Sequence, residues 1–97
     1  MVDREVRIVN RLGLHARAAA KFVQLAGTFS SRVRVARDGE AVDGKSILGL
    51  LLLAAAQGQQ VILSCDGPDE PEALEQLAAL VESGFYEETD EEQQETA

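Results

Sequence analysis

Tryptophan is missing from this sequence, and histidine, cysteine, methionine and tyrosine each occur once. A single cysteine, Cys65, excludes an internal disulfide and fits a reducing cytosol. A single histidine, His15, lies 50 positions from that cysteine, so no set of metal ligands emerges. Nothing marks a serine nucleophile, so a Ser-His-Asp arrangement has no support either. Long apolar runs are also lacking. The longest, ILGLLLLAAA at 47–56, is too short to cross a bilayer, and the opening MVDREVRIV alternates charged and apolar residues unlike a signal peptide. The expectation is a cytoplasmic chain with no membrane insertion. No basic patch dominates, which argues against a nucleic-acid partner.

What is present is a charge of −8, unevenly placed. Six acids (Glu87, Glu88, Asp90, Glu91, Glu92 and Glu95) follow Tyr86 with no base among them. Without them residues 1–86 carry 11 acids against 9 bases, a net of −2. The 97 residues leave room for one core, and 45% hydrophobic content is enough to build it. The sequence therefore reads as one domain over residues 1–86 and a disordered acidic tail over 87–97.

Periodicity supplies the elements. REVRIV (4–9) alternates as a strand does, with Val6 and Ile8 on one face. Ala19, Phe22, Val23 and Ala26 recur at helical spacing over 16–26, and Gly27 offers a stop. RVRVAR (32–37) and EAVD (40–43) flank Asp38-Gly39, a strong hairpin signal. A second helix is predicted from Ile47 to about Gln57, ended by Gly58, with Ser46 as its N-cap. QVILSC (60–65) reads as a strand in which Cys65 is buried. Asp69 and Glu72 form a D-x-x-E capping box, with Pro71 in the first turn of a third helix running to about Glu82. The order β-α-β-β-α-β-α implies an α+β fold, with the helices on one face of an antiparallel sheet.

The chemistry rests on few residues. His15 immediately precedes the first helix, near its N-cap. The backbone N–H groups of Ala16, Arg17 and Ala18 have no intrahelical acceptor and, with the helix dipole, make an anion site. Arg17 adds a fork-shaped charge suited to a phosphoryl group. Histidine titrates near neutrality, so a neutral ring nitrogen is available to attack phosphorus. On position alone, a poor helix cap beside a surface arginine explains the same pattern. In the second helix Ile47, Leu48, Leu50, Leu51, Leu52 and Leu53 cannot all face the sheet. Leu50 and Leu53 are assigned to the core, which leaves Ile47, Leu48 and Leu51 as an exposed apolar patch near His15.

GLHAR followed by an apolar helix, GKSILGLLLLAAAQG about thirty residues on, and the closing LVESGF resemble the HPr family over residues 2 to 85. These are the histidine-containing phosphocarriers of the phosphoenolpyruvate-dependent sugar phosphotransferase system. The resemblance implies an open-faced β-sandwich of three helices on a four-stranded antiparallel sheet. It implies that His15 accepts a phosphoryl group from phospho-enzyme I on its pros nitrogen and passes it to sugar-specific IIA components. Arg17 assists, and no cofactor and no enzymatic turnover are involved. It further implies that Ile47, Leu48 and Leu51 meet these partners, that Ser46 is a target for an HPr kinase/phosphorylase in some bacteria, and that the chain is a monomer. A regulatory or nitrogen-related paralogue, or a binding module of the same fold that transfers nothing, is the alternative. Where the family usually has proline this chain has Ala18, whose extra amide is expected to bond the His15 side chain or an anion beside it.

Overall fold

A computed structural model describes residues 1–87 of the chain. Its strands are β1 (Val2–Arg7), β2 (Arg32–Arg37), β3 (Glu40–Asp43) and β4 (Gln60–Asp66), and its helices α1 (Ala16–Ala26), α2 (Ile47–Leu53) and α3 (Glu70–Glu82). The strands form one antiparallel sheet in the order β1-β4-β2-β3. This is the α+β open-faced sandwich that the element order implies. The period-2 pattern sets the register: Val6 pairs with Val61, Val35 with Leu63 and Val33 with Cys65, all buried under the helices. Arg34 and Ile62 lie on the open face. Asp38 and Gly39 both take positive φ, 52° and 84°, as a two-residue hairpin turn requires.

The helices bury Phe22, Leu50 and Leu77 against this sheet. Each such side chain contributes roughly 1.5–3 kcal/mol of burial. Leu50 and Leu53 face inward as expected, while α2 is shorter than its periodicity suggests. It ends at Leu53 on a left-handed Ala54 (φ 54°), four residues before Gln57. The reason is tertiary: Ala55 is buried, and its carbonyl accepts the Leu14 amide at 2.9 Å.

The D-x-x-E capping box of α3 does not form. Asp69 is the N-cap, yet its carboxylate makes no cap bond. It turns instead to the loop before β2, accepting the Ser30 and Ser31 amides (2.8 and 2.9 Å) and the Ser31 hydroxyl. Glu70, not Glu72, closes the turn by accepting the Gly67 amide at 3.1 Å.

After α3 the chain makes a 3₁₀ turn at Gly84–Tyr86 that no local pattern announces. Phe85 and Tyr86 sit in the left-handed region (φ 57° and 60°), a conformation that costs on the order of 1–3 kcal/mol per non-glycine residue. Complete burial of Phe85, and a 2.7 Å bond from Lys21 Nζ to its carbonyl, offset that strain. Glu87, which sequence composition places in the acidic tail, is buried in the fold. The rest of that tail, 88–97, lies outside the described residues.

Candidate functional site

The loop between β1 and α1 is shaped by Asn10 and Gly13. The Gly13 amide donates to the Asn10 carbonyl (3.1 Å), and Asn10 Nδ2 donates to the Gly13 carbonyl (2.7 Å). Gly13 has φ 67°, and a Cβ there would stand 2.6 Å from the Ala55 carbonyl oxygen. Only glycine suits both the turn and this close approach. The loop thereby delivers His15 in an extended conformation (φ −83°, ψ −178°) as the N-cap of α1, and the Ala19 amide closes the first helical turn on its carbonyl at 2.8 Å.

Both ring nitrogens of His15 are engaged. Nδ1 accepts the Arg17 amide at 3.3 Å, a long bond. Nε2 is in short contact with the Glu87 carboxylate. A carboxylate can only accept and an amide can only donate, so the two contacts select one tautomer: Nε2–H with an unprotonated Nδ1. The amide at Nδ1 belongs to Arg17, the second helical position, rather than to Ala18 as expected. From an extended cap residue the ring reaches the nearer of the two donors such caps use. Ala18 instead buries its methyl completely.

Ala16 and Arg17 are exposed at the helix start, and the His15 side chain retains 26% of its exposure. Glu87 is only 5% exposed. A buried carboxylate requires donors. Among the described residues it has two: His15 on one oxygen, and Asn10 Nδ2 at 2.9 Å on the other. Asn10 Oδ1 is left buried without a partner among the described residues.

On α2, Ser46 caps the helix, its hydroxyl accepting the Gly49 amide at 3.0 Å. Ile47, Leu48 and Leu51 are exposed, as are Leu52 and Leu12, which sequence reasoning left out. Asn10 and Glu87 were missed too. Asn10-x-x-Gly13 is a recognisable turn signal, whereas nothing local distinguishes Glu87 from the acids after it. Cys65 is buried in β4, and burial pushes its thiol pKa up. No three His, Cys, Asp or Glu side chains among the described residues are placed to hold a metal.

The family profile for the phosphorylation-site HPr component of the phosphotransferase system matches residues 2–83. The phosphocarrier protein HPr of Cupriavidus necator is 53% identical over 87 residues, spanning 90% of this chain and 98% of the relative. This chain belongs to the HPr family of phosphocarrier proteins. HPr proteins are carriers in the phosphotransferase system rather than classical enzymes. The crystal structure of an HPr from Thermoanaerobacter tengcongensis superposes with a TM-score of 0.85 at 47% identity, covering 88% of this chain and 96% of that one. Crh of Bacillus subtilis, a catabolite repression protein crystallised as a domain-swapped dimer, is 48% identical with a TM-score of 0.71, over 87% and 97% of the two chains.

Proposed function

We propose that His15 Nδ1 accepts a phosphoryl group from phospho-enzyme I and passes it to sugar-specific IIA components. The observation that carries this reading is the pair of contacts on the ring, the Arg17 amide at Nδ1 and the Glu87 carboxylate at Nε2, which together assign Nδ1 as the unprotonated nitrogen. The unprotonated nitrogen faces the N-terminus of α1, and its hydrogen bond from the Arg17 amide, at 3.3 Å, is long enough to yield easily. An incoming phosphoryl group then meets the free amides of the first turn, the dipole of an 11-residue helix and the Arg17 guanidinium. The bond from Nδ1 to phosphorus forms as the donor's bond to phosphorus breaks, and no proton has to leave Nδ1 first.

The exposed Ile47, Leu48 and Leu51 form the docking face for both partners. It is joined to the site because the Leu14 amide bonds the carbonyl of Ala55 just beyond α2. Ser46, at the edge of this face, is the position where an HPr kinase/phosphorylase would act. The carrier works as a cytoplasmic monomer. Incubation with enzyme I and phosphoenolpyruvate should place one acid-labile phosphate on the chain, and His15→Ala should accept none while melting normally. Acid-labile phosphate on the His15→Ala chain would overturn the assignment.

A further inference from the structure

The contact between His15 and Glu87 joins residues 72 positions apart and uses an acid that composition assigns to a tail. It is a built contact. Phe85 is fully buried, Lys21 Nζ holds the Phe85 carbonyl, and two left-handed residues turn the chain back so that Glu87 lands beneath the Asn10–Gly13 loop. Asn10 then clamps the loop and the carboxylate with the same amide group, donating to Gly13 and to Glu87 Oε1.

We propose that Glu87 is a positioning residue for phosphoryl transfer: its carboxylate holds the Nε2–H of His15, presents Nδ1 as the nucleophile, and balances the charge the ring gains. This rests on the reading of His15 as acceptor. As Nδ1 gives its lone pair to phosphorus, the donor's bond to phosphorus takes back its own pair. The ring, still carrying Nε2–H, becomes positive. A buried carboxylate on that N–H favours the charged ring, in the way a carboxylate behind a catalytic imidazole does. Glu87 lies against Nε2, so it neither blocks Nδ1 nor competes with the incoming phosphate for the amides of α1.

Two measurements on the full-length chain test this. In the unphosphorylated protein, at a pH where the ring is neutral, the Nε2–H proton of His15 should give an observable, exchange-protected NMR resonance. Glu87→Ala should lose it, and Glu87→Gln, whose amide oxygen still accepts, should keep it. The carboxylate partner of a metal-bound imidazole is worth about tenfold to a hundredfold, and a loss of at least about tenfold in transfer from phospho-enzyme I is expected for Glu87→Ala, with Glu87→Gln in between. Absence of the protected proton in the wild-type chain overturns the proposal. So does Glu87→Ala transferring at the wild-type rate, slowing with the resonance unchanged, or slowing no more than Glu87→Gln. Failure of the acceptor assignment itself is read separately, as phosphate on the His15→Ala chain, because the proton resonance needs no phosphoryl donor.

Discussion

Asp69 shows how one side chain can leave its expected local role for a distant one. Its carboxyl is held below the usual carboxylate range by the Ser31 hydroxyl first, and by the Ser30 and Ser31 amides. A group with a depressed folded-state pKa adds stability above its unfolded pKa, and that stability disappears as pH falls through the folded value. Asp69→Asn keeps one acceptor and loses the charge. It should therefore be less stable than wild type at neutral pH, and the gap should close on acidification below the ordinary carboxylate range. Urea midpoints of both chains across that range measure it. A gap independent of pH would mean the carboxylate's charge contributes nothing.

At the scale of the element, α2 divides its residues between two tasks. Leu50 and Leu53 hold it to the sheet, while Ile47, Leu48, Leu51 and Leu52 face outward. The fold derives nothing from an exposed leucine such as Leu48, so its substitution should be nearly neutral for stability, within about 0.5 kcal/mol. Ser46→Asp also keeps an acceptor for the Gly49 amide. Both Ser46→Asp and Leu48→Asp should thus melt close to wild type and yet slow transfer from enzyme I, by adding a charge to the docking face. Wild-type transfer rates in both variants would place docking elsewhere.

At the scale of the molecule, the segment after α3 ties the end of the domain to its beginning. Phe85 fills the core, Lys21 of α1 holds its carbonyl, and Glu87 reaches the loop after β1. Phe85→Ala should cost about 3–5 kcal/mol, as for other large core truncations. Because Glu87 depends on that anchor, transfer should slow even at temperatures where the variant remains folded. Chemical denaturation read beside a transfer assay checks both, and a stable, fully active Phe85→Ala chain would detach the segment from fold and site alike.

The sequence by itself determined the strands through their alternation, the hairpin through Asp38-Gly39, the three helices through their apolar spacing, and His15 as the cap of the first. Each of these depends on residues within about four positions of one another, where local sterics and local hydrogen bonds decide. It also separated Leu50 and Leu53 from the outward-facing residues of α2, because a helix has only one face to bury. Only the tertiary structure decided where polar groups far apart in the chain find partners. Asp69 prefers the Ser30–Ser31 loop to its own helix, Ala55 ends α2 by accepting Leu14, and Glu87 settles on His15 across 72 positions. A buried carboxylate must have donors, but which donors it meets depends on how the layers pack, and no local pattern of residues encodes that.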